Sequence, residues 1–487
     1  MTEPWTLDIE GCRRALAAKE ISAEELCRSF LARIEATEPK VAACLSVLGD
    51  SALEKARALD AKGPDFASRP LWGVPLTVKD VFCLKGAPTT AGSKILQNYH
   101  PAFEATVVRR LEAAGAVILA KTNCDEFAMG SSTEFSAYKP TKNPWNLSRV
   151  PGGSSGGAAA SVAARQAPGA MGTDTGGSIR QPAALCGCVG LKPTYGRVSR
   201  YGIVAYASSF DQAGPLATSV EGCASILSVI AGQDGKDSTC SAREVDDYLS
   251  LPDQEPSSVT LGLPKELWEA DFVPETAEVL LEGRKMLEKA GFKLKEVSLP
   301  NLRFAVAAYY ILASAEASTN LARYDGVRYG RRAGGEKDLE ELYRASRDLG
   351  LGQEVKRRIL LGTFVLSSGY YDAYFRKAAQ VRRLIHDDYL RALGECDLLL
   401  APVSSIPAWP FGAFTSDPLT IYQLDMMTLP LNLAGGPGLS LPAGLGKDGL
   451  PVGWQLMGRH FGEAYLLAVG KAVERLTPPL GTPAACP

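Results

Sequence analysis

Two glycine- and serine-rich clusters about twenty residues apart put the tightest constraint on how this chain folds: VPGGSSGG, ending at Gly157, and GTDTGGSIRQP, ending at Pro182. Between Pro151 and Gly190 ten of forty residues are glycine, against 48 in 487 for the whole chain, about two and a half times the average density. Glycine admits positive φ and lets a ligand or another strand approach the main chain closely, so such stretches form tight loops rather than regular elements. Ser154, Ser155 and Ser178 sit in these loops and are candidates for chemistry rather than packing.

The segments around the clusters predict an α/β chain. GVPLTVKD reads as a buried strand with Lys79 at its end, residues 105–114 as a helix stopped by Gly115, and AVILAKTN as a second buried strand. AAASVAAR then reads as a helix and GAMGTDT as a strand end, so both clusters fall on loops between core elements, where α/β folds place their sites. The first sixty residues are helical: Ser22 and Glu25 form a capping-box pattern, Leu26, Phe30 and Ile34 recur at spacing four, and Pro39 is expected to end the helix. A polar stretch from Pro252 to Ser258 reads as a linker. VTLGLP, a helix from Pro274 to Ala290 and FKLKEVSLP then make a strand–helix–strand unit, right-handed if its strands are parallel. Residues 335–395 are charged and helical, CDLLLAP is a strand, and TPPLGTPAACP is an irregular tail.

Composition narrows the function. Apolar residues at 46% and charged residues at 22% suit a large globular core, and a net charge of −2 argues against a broad basic field for nucleic acid. No run of 18 apolar residues suggests a membrane span, and MTEPWTLDIEGC reads as neither secretory signal nor transit peptide, so a cytoplasmic protein is expected. Eleven scattered cysteines with no CxxC pair suggest reduced thiols, and Cys186 and Cys188, a CxC without nearby partners, make a weak zinc motif.

Activating a serine needs a base. The three histidines, His100, His386 and His460, all lie outside the glycine-rich region, although a Ser-His-Asp set could assemble from a distance. A buried lysine is the stronger candidate, since lowering its pKa from about 10.4 to about 7 takes on the order of 4–5 kcal/mol, which burial can supply. Lys79, following the apolar run from Val74 to Val78, has that character.

GGSSGG, GTDTGGSIRQPA and the upstream lysine together resemble the amidase signature family over nearly the whole chain. The resemblance implies an α/β fold with a large mixed, mostly parallel sheet flanked by helices on both faces. It implies one domain over 1–487: a helical region at 1–65, a Ser-Ser-Lys core at 66–220, and a substrate-pocket half at 258–487. Ser178 is then the nucleophile, Ser154 a bridging serine in a cis peptide, and Lys79 the base, with the backbone amides of Thr175, Gly176, Gly177 and Ser178 forming an oxyanion nest. No metal or organic cofactor is implied in this chain.

Within the family, GLKPTYGRVSRYGIVAYASSFDQAGP, KRRILLGTFVLSSGYYDAYF and LPLNLAGGPGLSLPAG resemble the subgroup that forms the A subunits of glutamyl-tRNA(Gln)/aspartyl-tRNA(Asn) amidotransferases. That resemblance implies glutamine as substrate. It also implies a heterotrimer with a B-like tRNA-binding kinase subunit, which uses ATP and Mg, and a small C-like subunit, with aminoacyl-tRNA reached only through the partner. Arg358 and Asp425 are then expected to hold the α-carboxylate and α-ammonium of glutamine, with Tyr309 as a pocket wall. Taken singly, Ser154 would be a helix N-cap, Lys79 a solvated strand end, Arg358 a surface charge and Asp425 a helix residue. A stand-alone amidase of small aryl or aliphatic amides is the alternative.

Overall fold

Short apolar runs separated by helices become the strands of one sheet. A computed structural model of the protein describes residues 3–335, 338–478 and 480–486. It contains β1 (Cys44–Val47), β2 (Pro75–Lys79), β3 (Val117–Thr122), β4 (Gly169–Asp174), β5 (Val189–Lys192), β6 (Gln212–Ala217), β7 (Thr260–Pro264), β8 (Lys293–Val297), β9 (Leu398–Pro402), β10 (Gly438–Leu445) and β11 (Pro451–Met457). They form one 11-stranded sheet in the order β1-β3-β2-β4-β6-β5-β10-β11-β9-β7-β8. Every residue of β2, β3, β4, β5, β6, β9 and β11 is buried, so helices and loops cover both faces of its centre.

The sheet is mixed, but parallel pairing does not predominate as the family resemblance implied. Four of the ten neighbouring pairs are parallel (β2–β3, β2–β4, β7–β8 and β7–β9) and six are antiparallel. Connection length explains the difference, because parallel neighbours need a crossover of a dozen or more residues, usually a helix. Only residues 446–450 join β10 to β11, which must therefore run antiparallel, and β6 inserts antiparallel between β4 and β5. Hydrogen bonds between β5 and β10 join the two halves of the chain into one sheet.

The helices that matter for the site are α1 (Ala23–Val41), α2 (Gly156–Ala163), α3 (Arg180–Cys186), α4 (Pro274–Ala290), α5 (Ala305–Asn320) and α6 (Gln353–Leu366). Ser22 and Glu25 close the expected capping box on α1. Pro39 does not end α1: it lies in the last turn, and the stop falls at Ala42, which is left-handed with φ 57°. In the final turn a proline forfeits a single backbone bond, less than the packing of the buried Thr37 and Val41 retains. The unit β7–α4–β8 is the expected strand–helix–strand with parallel strands. All eleven cysteines are free and buried. Among the described residues no helix is long and apolar enough to cross a membrane, and no three metal-ligating side chains share a centre.

Candidate active site

The parallel pairing of β2 with β4 sets Thr77 opposite Ala170 and Val78 opposite Met171, which carries Lys79 alongside Gly172 and Thr173. The Lys79 side chain is fully buried. Its Nζ lies 2.7 Å from Ser154 Oγ, 2.9 Å from Ser155 Oγ and 2.9 Å from Thr173 Oγ1. Burial lowers its pKa from 10.5 to about 8, against the opposing pull of Cys124 and of the carboxylates Asp125, Asp174 and Asp211. The Ser155 hydroxyl donates to the Thr173 carbonyl at 3.1 Å and accepts from the Thr173 amide at 3.2 Å, so its own proton is already committed. Ser154 is fully buried, and the Gly153–Ser154 peptide is cis.

Ser178 lies on the loop between β4 and α3 and is 7% exposed at the floor of a small cavity. Its carbonyl accepts the Ser155 amide at 3.1 Å, which ties the two glycine–serine loops together. Its hydroxyl makes no hydrogen bond among the described residues, so the resting structure joins Lys79 to Ser154 but leaves the Ser154–Ser178 step open. Hydroxyl contacts of this kind often tighten only when substrate is bound.

The loop after β4 is shaped by Asp174, whose side chain is fully buried. One oxygen accepts the Gly177 amide at 2.8 Å and the other the Ile179 amide at 3.2 Å. Arg180 pairs with the same carboxylate at 3.1 Å, and Asn432 donates to it at 2.8 Å. Burial alone would raise the Asp174 carboxyl, but Arg180 and these bonds outweigh it and hold the pKa at about 2. Gly177, expected among the oxyanion donors, thus gives its N–H to Asp174, whereas the amides of Thr175, Gly176 and Ser178 have no partner within the loop. Gly177 has φ 126°, and a Cβ there would collide with Thr428 Oγ1, so only glycine fits.

The cavity, narrow in the resting structure, is lined by Gly176, Gly177 and Ser178 together with Tyr309, Tyr310, Arg358 and Asp425. Arg358, on α6, is 3% exposed. Its Nε donates to Glu354 at 2.8 Å and its terminal nitrogen to the Tyr206 hydroxyl at 2.7 Å, and the guanidinium lies 5.0 Å from the Tyr310 ring centroid. Asp425 accepts from Ser131 Oγ at 2.7 Å and from the Tyr310 hydroxyl at 2.7 Å. Burial raises its carboxyl to about 6, while those two bonds and Arg358 pull the other way. Arg358 and Asp425 do not form an ion pair with each other, so a cation and an anion face one small space. Tyr309 and Tyr310 follow each other on α5 with rings edge to face at 5.1 Å, and the Tyr309 hydroxyl lies against Gly176.

Six of the nine residues given roles from the sequence line this cavity, Lys79 and Ser154 are hydrogen-bonded to each other, Thr175 precedes Gly176 in the same loop, and no histidine lines the cavity. A family model described as Amidase matches residues 25–467. The chain belongs to the amidase family. It is 58% identical over 487 residues to the A subunit of glutamyl-tRNA(Gln) amidotransferase from Nitratidesulfovibrio vulgaris (strain DP4), covering 99% of each chain. Among solved structures it resembles the same subunit from Thermotoga maritima at 40% identity and a TM-score of 0.82, covering 99% of this chain and 98% of that one. It also resembles the peptide amidase of Stenotrophomonas maltophilia, at 32% identity and a TM-score of 0.82 over 98% of both chains.

Sequence reasoning missed Ser131, Tyr206, Tyr310, Glu354 and Tyr422, which surround Arg358 and Asp425. Two signals were available. Glu354 stands four residues before Arg358 on one helix, the spacing of an ion pair, and Ser131 lies in a third small cluster, MGSS. Tyr206 comes from a segment far away in sequence, and Tyr422, only three residues before Asp425, carries no signal of its bond to Glu354.

Proposed function

We propose that this chain is the glutaminase subunit of a tRNA-dependent amidotransferase. Neutral Lys79 accepts the proton of Ser154, Ser154 accepts that of Ser178, and Ser178 Oγ attacks the side-chain amide of glutamine. The resulting oxyanion is met by the amides of Thr175, Gly176 and Ser178, with Gly177 shaping the loop through Asp174. Return of the proton to the leaving nitrogen releases ammonia and leaves a glutamyl ester on Ser178. Water, deprotonated by the same lysine, then frees glutamate.

The observation that carries the reading is a buried guanidinium, Arg358, and a buried carboxyl, Asp425, that line the same small cavity as Ser178 without forming an ion pair with each other. A free amino acid presents a carboxylate for the outer face of Arg358, which Glu354 already neutralises in part, and an ammonium for Asp425, whereas an apolar amide would leave the Asp425 carboxylate without a counter-charge. For this reason a stand-alone hydrolase of aryl or aliphatic amides is disfavoured. The names of the relatives support the same assignment.

In this reading ammonia passes to a B-like subunit that binds tRNA and activates its glutamyl or aspartyl group with ATP and Mg. A small C-like subunit completes a cytoplasmic heterotrimer, and the product is Gln-tRNA(Gln) or Asn-tRNA(Asn). The test is to purify the chain with and without both partner subunits and follow release of glutamate from glutamine. Hydrolysis should rise when the partners and aminoacyl-tRNA are present, and Ser178→Ala should lower it at least about 10³-fold. Turnover indifferent to partners, or faster on simple aryl amides than on glutamine, sinks the assignment.

A further inference from the structure

The loop following α5 carries a dense run of cations, RYDGVRYGRR over residues 323–332. It borders a hollow of about 670 Å³ lined by Arg328, Tyr329, Arg331 and Arg332 on one side and by Gln97, Asn98 and Tyr99 on the other. The three arginines are exposed, and among the described residues none of their guanidinium groups makes a hydrogen bond or ion pair. Tyr329, which lines the same hollow, is 52% exposed.

This loop is built rather than loose. Asp325 Oδ1 accepts the amides of Val327 at 2.8 Å and Arg328 at 3.3 Å, and the Gly326 amide bonds the Tyr329 carbonyl at 3.0 Å. The Arg331 amide is fixed to the Ile95 carbonyl at 2.6 Å. Gly330, with φ 90°, lies so close to Ile95 that a Cβ would meet it at 2.8 Å. The backbone thus holds in one place three guanidinium groups with no ion-pair partner among the described residues, on a chain whose net charge is −2.

We propose that this hollow binds phosphates of an RNA backbone, giving the chain its own contact with the tRNA whose aminoacyl group is amidated. The proposal rests on the functional reading above, which had placed all tRNA binding on the partner. Planar guanidinium groups bind phosphate bidentately, and an exposed tyrosine beside them offers a stacking face for an unpaired base. Amide side chains at Gln97 and Asn98 add donors for phosphate or ribose oxygens. The position suits the chemistry as well. Tyr324, in the same loop, packs on Phe127 at 5.1 Å, and the next residue, Ala128, lines the catalytic cavity.

The experiment uses the full assembly of this chain with both partner subunits and measures its affinity for tRNA(Gln) over a range of salt concentrations. The triple variant Arg328→Ala, Arg331→Ala, Arg332→Ala should lower the slope of log K against log salt by about 2–3, one for each phosphate no longer neutralised. It should also weaken binding by about tenfold or more at moderate salt, while glutamine hydrolysis without tRNA stays at the parental level. The charge-preserving triple variant Arg328→Lys, Arg331→Lys, Arg332→Lys should keep most of the slope. Equal slope and affinity in the alanine variant overturn this site and leave the functional reading intact. Failure of that variant to assemble with the partners overturns it too, and assigns the hollow to an acidic protein surface. A parental assembly that hydrolyses glutamine but binds no tRNA removes the functional reading itself.

Discussion

The pH dependence of glutamine hydrolysis follows from the environment of one side chain. Lys79, the base in the proposed mechanism, can take a proton only when neutral, and its buried position brings its pKa from 10.5 to about 8, worth about 3 kcal/mol of destabilisation of the charged form. The neutral fraction is then about a tenth at pH 7, a half at pH 8 and nine tenths at pH 9. Activity requires the deprotonated form, so kcat/KM should rise roughly tenfold from pH 7 to pH 9 and level off above the pKa. The geometry adds a second expectation. Neutral lysine has two N–H donors and one lone pair for three hydroxyl oxygens, and Ser155 has already given its proton to the Thr173 carbonyl. Two N–H donors directed at Ser155 and Thr173 leave the lone pair facing Ser154 at 2.7 Å. Lys79→Arg keeps a cation in place but supplies no lone pair, so it should lose at least about 10³-fold in kcat at every pH rather than shift the profile. The assay is steady-state glutamate release across that pH range for parent and variant. A flat profile in the parent, or an arginine variant within a few-fold of it, refutes lysine as the base.

The remaining predictions concern the pocket and its support. Arg358→Ala and Asp425→Ala should each raise the KM for glutamine far more than they lower thermal stability; unchanged steady-state kinetics would put the pocket elsewhere. Because the Asp425 carboxyl titrates near 6 and must be ionised to hold an ammonium, the parental KM should climb as pH falls through about 6, measurable with glutamine as sole substrate. Gly177→Ala places a Cβ on Thr428 Oγ1 at φ 126° and should displace the oxyanion loop, reducing kcat about 10²–10³-fold while KM changes little. Asp174→Asn leaves the fully buried Arg180 without its counter-charge and should cost about 3–5 kcal/mol in denaturant unfolding; a loss under about 1 kcal/mol contradicts the role given to this pair.

Much of the site was legible because its chemistry is local. Ser154, Ser178 and the glycines around them are written in two short segments, and Lys79 is marked by the apolar strand that precedes it. The pocket was legible in part: Arg358 and Asp425 were reached through resemblance, since a basic helix and a short polar turn look like surface by themselves. What sequence did not reveal is side-chain commitment. That Gly177 gives its amide to Asp174, and that Ser155 is saturated by Thr173, depend on rotamers and loop shape rather than on residue type. The mixed sheet and its flanking helices are as expected, and only the share of parallel pairs differs, for a related reason. The resemblance implied mostly parallel pairing, but spatial neighbours such as β5 and β10 are far apart in sequence, and local pattern does not report how they pair. Pro39 was overweighted, because its penalty depends on where in the helix it falls.

The seam between β5 and β10 has a consequence for how the protein is made. The loop that carries Ser178 is braced by Arg180, whose partners include Thr428, Asn432 and Gln455, and 275 residues separate Arg180 from Gln455. At synthesis rates of about 5–20 residues per second, those partners emerge about 15–55 s after the nucleophile. Early in that interval the growing chain carries its serine and lysine but lacks the bracing of the loop after β4, and Arg358 and then Asp425 join before Gln455 completes it. Hydrolytic competence therefore arrives late, with the closing strands, and a chain truncated before β11 has no route to it.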